Sequence, residues 1–134
     1  MKLLPFTDHA AVDDSSTLVL PNDADPLSPS LDGVARIDLF FPKFTDGRAF
    51  SQAFLLRRRR GFQGEIRATG DVLVDQLAQM ERSGFDVAVL RADQDMATAQ
   101  RVLASYPGHK VGTYQGDAVD IQPHFREAKE GAAA

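Results

Sequence analysis

Two hydrophobic rhythms alternate along this chain, one of period two or continuous and one of period 3.6. Thr17-Leu18-Val19-Leu20 is a short apolar run closed by Pro21-Asn22-Asp23, the pattern of a short strand suited to a sheet edge. Ala35-Arg36-Ile37-Asp38-Leu39-Phe40-Phe41 first alternates and then becomes wholly apolar, as strands do in sheets covered on both faces. Pro42 stops it. The period then turns helical from about Arg48 to Arg59, with Phe50, Ala53, Phe54 and Leu55 or Leu56 inward and Thr45 or Asp46 placed as the cap.

The same alternation recurs. Glu65-Ile66-Arg67-Ala68 reads as a second strand, after which Gly70 relaxes the backbone. Asp71 is positioned to cap a helix whose Leu73, Leu77 and Met80 form one stripe. Gly84 ends that helix, and Phe85-Asp86-Val87-Ala88-Val89-Leu90 is apolar enough for the sheet interior. Asp93 or Asp95 caps a third helix with Met96, Ala99, Val102 and Leu103 inward, closed by Pro107-Gly108. Val111 to Tyr114 and Ala118 to Ile121 are two further short strand candidates.

This order predicts an α/β domain: a mainly parallel open sheet of four to five strands with helices packed on it, built from repeated βα units, half-barrel-like or doubly wound. Residues 1–34 form an N-terminal arm, mostly loop with one short strand. The α/β domain occupies residues 35–122, and residues 123–134 are a polar, alanine-rich tail expected to fray.

Composition changes this picture in three places. The 134 residues, 43% hydrophobic and 25% charged, suit one globular domain. No cysteine is present, which excludes a protein-held iron–sulfur cluster, a redox dithiol, a thiol nucleophile and thiolate zinc. Electron transfer would therefore need a bound cofactor or a partner's redox centre, and no cofactor is evident: there is no GxxxxGK[ST], no GxGxxG after a strand and no GxSxG. His9, His109 and His124 lack ligand spacing, so no metal site is expected. Nor is any stretch long and apolar enough for a signal peptide or a membrane span, which places the protein in the cytoplasm with no membrane contact.

The net charge of −4 argues against nucleic acid as a partner, yet the charge is unevenly distributed. Six arginines face one acid, Glu65, between Arg48 and Arg67. Asp8 to Ala35, by contrast, holds six acids and no Lys or Arg. Such an acidic loop could lie against the arginines, but a solvated loop is the simpler reading and the one favoured.

Parallel strands end at a common edge, where α/β sheets carry their sites. Lys43, Thr45, Asp46, Arg48, Thr69, Asp71, Arg91, Asp93 and Asp95 should gather there. Helix N-termini at that edge favour an anion, so Lys43, Thr45, Asp46, Arg48, Arg67, Thr69 and Asp71 form a candidate ligand site. The competing reading makes Asp46, Asp71 and Asp93 plain helix caps. Arg57, Arg58, Arg59 and Arg60 fall in the last turn of a helix, where cations offset the helix dipole. They are also a candidate docking patch for an acidic protein. Four consecutive helical residues cannot all face one ligand, so at least one should lay its stem on apolar surface.

The run from Phe41 to Ser51, the run from Gly64 to Leu73, Asp75-Gln76-Leu77 and Ser83-Gly84-Phe85-Asp86 resemble an uncharacterised bacterial family. Its members are commonly encoded beside the assimilatory sulfite reductase hemoprotein and are associated with sulfite reduction. The resemblance spans about Ala35 to Gly116, and its motif residues here are Pro42, Lys43, Thr45, Asp46, Gly47, Arg48, Arg67, Gly70, Asp71 and Gln76. It implies an association with sulfur assimilation, and without recognisable catalytic or redox groups that association is most simply the role of an accessory protein that binds sulfite reductase or its electron donor. The alternative it leaves open is a small-ligand enzyme or carrier that holds a sulfur oxyanion or nucleotide at the strand ends, with Lys43, Arg48 and Arg67 on the anion and Asp46 or Asp71 as base. A homodimer without ligand is a third expectation.

Overall fold

Strand and helix alternate from Arg36 onward in a computed structural model that describes residues 1–9 and 16–105. The strands are β1 (Lys2–Leu4), β2 (Thr17–Leu20), β3 (Arg36–Phe41), β4 (Glu65–Gly70) and β5 (Val87–Val89). The helices are α1 (Arg48–Arg58), α2 (Leu77–Ser83) and α3 (Met96–Ala104). All five strands are parallel, in the order β1-β5-β4-β3-β2.

From β2 to β5 each strand lies beside its predecessor, so the connections all progress in one direction, and the right-handed rule for parallel crossovers then sets the helices after β3 and β4 on one face. Accordingly α1 packs on β3 and α2, α2 on α3, and α3 reaches β1. This is the half-barrel-like form of the expected α/β sheet. Ile37, Leu39 and Phe41 of β3, Ile66 and Ala68 of β4 and Ala88 of β5 meet Ala53, Leu56, Leu77, Met80 and Leu103 in a single core. The Phe41 ring sits 5.0 Å from Phe50 and 5.7 Å from Phe85, between the sheet and its helical cover. The alternate strand residues point to the second face.

Several local expectations need correcting. The N-terminal arm supplies two strands, because Lys2–Leu4 pairs with β5; three residues are too few to show a period. Phe54 is 41% exposed, and Gln52 takes the buried position on α1. Its amide donates to the carbonyls of Pro21 (2.8 Å) and Ala24 (2.9 Å), holding the loop after β2. Asp71 does not cap a helix: Leu73 is extended, a 3₁₀ turn spans Val74–Gln76, and α2 begins only at Leu77. Other expectations hold. Asp95 caps α3 by accepting from the Thr98 N–H at 3.2 Å, and Gly84 ends α2 with φ +119°.

The strand candidates at 111–114 and 118–121, the 123–134 tail, His109 and His124 lie outside the described residues. Among the described residues, no helix is long and apolar enough to cross a membrane.

Candidate functional site

At the C-terminal edge, three loops are joined by polar contacts. The loop after β3 holds Lys43, Phe44, Thr45 and Asp46; the one after β4 holds Asp71; the one after β5 holds Arg91, Asp93 and Gln94. One oxygen of Asp71 accepts from the Phe44 backbone N–H at 2.7 Å, and the other pairs with Arg91. Arg91 in turn grips Asp93 with Nε (2.5 Å) and Nη2 (2.7 Å), the fork geometry that makes guanidinium–carboxylate pairs specific. Two amides complete the tie. Gln76 donates to the Phe44 carbonyl at 2.6 Å, and Gln94 accepts from the Val74 N–H at 3.0 Å.

Asp46 forms a second, smaller knot. It accepts from the Arg48 N–H (3.1 Å), the Arg48 guanidinium and the Asn22 amide (2.7 Å), so it serves the start of α1 and tethers the loop after β2. Lys43 and Thr45 are exposed beside these knots.

These contacts fix the electrostatics. The Arg91 guanidinium holds Asp93 down to about 2 and also keeps Asp71 below the usual carboxylate range. Asp46 is lowered chiefly by the Arg48 N–H, and Arg91 is raised by its two carboxylates. A carboxylate so stabilised as an anion is a weak proton acceptor at neutral pH. Along this edge Asp46, Asp71, Asp93 and Asp95 outnumber Lys43, Arg48 and Arg91, which does not favour an anionic ligand.

Arg67 and Thr69 belong to the second face of the sheet and not to the loop cluster. Thr69 donates to the Leu39 carbonyl at 3.1 Å. Arg67 donates to Glu65 at 2.9 Å and meets His9 Nδ1 at 3.0 Å. Next to it Arg36 holds Asp38 with two bonds, at 2.7 and 2.8 Å. Parallel register sets Arg36 opposite Glu65 and Asp38 opposite Arg67, so the four charges alternate in sign across two strands. The signal for this lattice was present as R-x-D and E-x-R, since residues two apart in a strand share a face. His9, distant in sequence, carried no such signal. Arginine only donates, so His9 must accept through Nδ1 and carry its proton on Nε2. Burial keeps its pKa below the ordinary 6.5, partly countered by Asp38.

The arginine run divides by position on the helix. Arg57, its side chain 5% exposed, donates to the carbonyls of Gly84 (3.0 Å), Phe62 (2.9 Å) and Gly64 (2.7 Å). Arg60 donates to the carbonyls of Pro26 and Pro29 and pins the acidic loop between β2 and β3. Arg58 and Arg59 remain on the surface, with the Arg58 guanidinium 5.6 Å from the centre of the Phe54 ring. Arg48, Ser51, Phe54 and Arg58 follow helical i, i+3, i+4 spacing and are all exposed, forming one continuous stripe on α1.

A family model described as bacterial protein of unknown function (DUF934) matches residues 17–125. The chain belongs to that family. No curated protein and no solved structure matches it. The DUF934 match takes in β2 through α3, with all three tied loops and the α1 stripe, while β1 precedes it.

Proposed function

We propose that this DUF934 protein is a non-catalytic, cytoplasmic accessory protein of assimilatory sulfite reduction that docks through α1 on sulfite reductase or its electron donor. The observation that carries the docking role is the exposed stripe Arg48, Ser51, Phe54 and Arg58, flanked by Arg59. Basic groups around an exposed aromatic ring suit an acidic partner surface: the charges steer the encounter and the ring supplies a desolvated anchor. The pathway rests on the resemblance of the Phe41–Ser51 and Gly64–Leu73 runs to proteins encoded beside sulfite reductase.

Two observations give the catalytic alternative less support. The carboxylates at the strand ends are held ionised by their neighbours, far from the near-neutral pKa that suits a general base. Lys43, Arg48 and Arg67 do not converge on one anion, because Arg67 is tied to Glu65 and His9 on the sheet face.

Titration of the purified protein against sulfite reductase from the same organism, at low and moderate salt with turnover followed in parallel, tests the reading. Saturable, salt-sensitive binding that alters turnover is expected, and Arg58→Glu with Arg59→Glu should weaken it about tenfold or more. Absence of binding at both salt levels, or full binding by the double variant, would overturn it.

A further inference from the structure

Beyond the α1 stripe, a separate opening lies between the C-terminal ends of β1 and β5. Pro5, Phe6 and Thr7 follow β1, and Leu90, Arg91 and Met96 follow β5; together they line an open cleft of about 200 Å³. Neighbouring parallel strands that diverge into separate loops leave such a crevice at their carboxyl ends, the usual seat of ligands in open α/β sheets.

We propose that this cleft binds a flat, uncharged heteroaromatic ring of nucleobase size, stacked on the Arg91 guanidinium and the Phe6 ring. Size sets the first limit, since drug-sized molecules occupy pockets of about 300–1,000 Å³ and this one suits a single ring system. Charge sets the second. Among the described residues Arg91 is the one charged residue lining the cleft, and it is already bracketed by Asp71 and Asp93. An incoming anion would meet a cluster whose two carboxylates outweigh its one cation, whereas a cation stacked on the guanidinium would meet like charge at contact distance. A neutral ligand escapes both penalties.

Shape and surface chemistry set the third limit. The two carboxylates take three of the five N–H groups of the guanidinium, which fixes its plane and lets its face serve for stacking. Phe6 is 60% exposed, so an aromatic surface stands in water at the cleft wall. Met96 adds a thioether, which makes favourable contacts with aromatic rings, and Thr7 offers a hydroxyl that can donate to or accept from a ring edge.

The test is an NMR titration of the full chain with adenosine, guanosine, cytidine and uridine as neutral ring probes and sulfate as the anion control. At least one ring probe should give saturable shifts at Thr7, the Arg91 side chain and Met96, with none from sulfate. Phe6→Ala should weaken that binding about tenfold, the order expected for loss of one stacking partner, with the melting temperature unchanged because Phe6 is exposed. Arg91→Lys, which keeps the charge and removes the plane, should weaken it as well. The proposal fails if none of the four rings shifts these residues saturably, if sulfate shifts them instead, or if Phe6→Ala binds like the parent.

Discussion

The guanidinium of Arg57 reaches the Gly84 carbonyl at 3.0 Å, joining the last turn of α1 to the residue that ends α2. A Cβ on Gly84 would lie 2.7 Å from Cγ of the same arginine, so contact and hydrogen bond depend on one another. Arg57 also serves Phe62 and Gly64, and its net effect is to close the turn that leads into β4.

Arg57→Ala should therefore lower the unfolding free energy by about 3 kcal/mol, because it leaves carbonyl groups without partners and removes a packed stem. Arg59→Ala, on the exposed side of the same run, should stay within about 0.5 kcal/mol of the parent. Urea denaturation of the two variants checks the contrast. Equal stabilities would mean that the run acts only through its summed charge.

Gly70 provides a second prediction. Its φ is +90°, and a Cβ there would lie 2.5 Å from the Phe41 carbonyl oxygen and 2.7 Å from the Phe40 ring. Gly70→Ala should cost about 1–3 kcal/mol and loosen the tie between Asp71 and the Phe44 N–H that follows it. Thermal melts give the stability, and amide exchange at Phe44 reads the tie. A protected Phe44 amide in the variant would show that the loops hold without this turn.

The sequence was legible where burial dictates a pattern. Ile37, Leu39 and Phe41, or Leu77 and Met80, announce their elements because a residue that enters the core must recur at the period of its backbone. β1 was not legible, since three residues make no period and its place follows from pairing with β5. At the strand ends, topology brought Lys43, Asp46, Arg48, Asp71, Arg91 and Asp93 to one edge as expected. The spacing along the chain could not say that Asp71 would choose Phe44 and Arg91 over a helix end, because both partners come from distant loops. Arg67 lies off the rim for a related reason: its strand runs on to Gly70, two residues past the end expected from the sequence, so Arg67 stands short of the edge and faces outward with Glu65.

On that outer face, His9 makes stability depend on pH near neutrality. Its neutral form is favoured in the fold, first by burial and further by Arg67 and Arg36, while Asp38 and Glu65 act in the opposite sense. A base whose folded pKa lies below 6.5 contributes stability that is complete above that value and is lost as pH falls through the lowered one. The melting temperature of the parent should thus decline as pH falls below the ordinary histidine value of 6.5, and His9→Gln should flatten that decline. An identical decline in the variant would assign it to other groups.

At more acidic pH the Arg91 fork takes over. Asp93 titrates at about 2 in the folded protein against an ordinary 3.8, and Asp71 is lowered in the same direction by the same guanidinium. Depressed carboxylates contribute stability that is present above the ordinary value and lost as pH falls through the folded one, so the loss should fall between about pH 4 and 2. Asp86 runs the other way: burial raises its pKa, so its share of the stability decreases as pH rises from the ordinary value through the raised one. Asp93→Asn should remove part of the acid limb while leaving the Asp86 contribution in place. Because Asp93 is 60% exposed, 1 M NaCl should shrink the difference between parent and variant. If parent and Asp93→Asn lose stability in parallel from pH 4 to pH 2 at low salt, the fork has no part in acid unfolding, and the carboxylates of Asp46 and Asp95 become the ones to replace next.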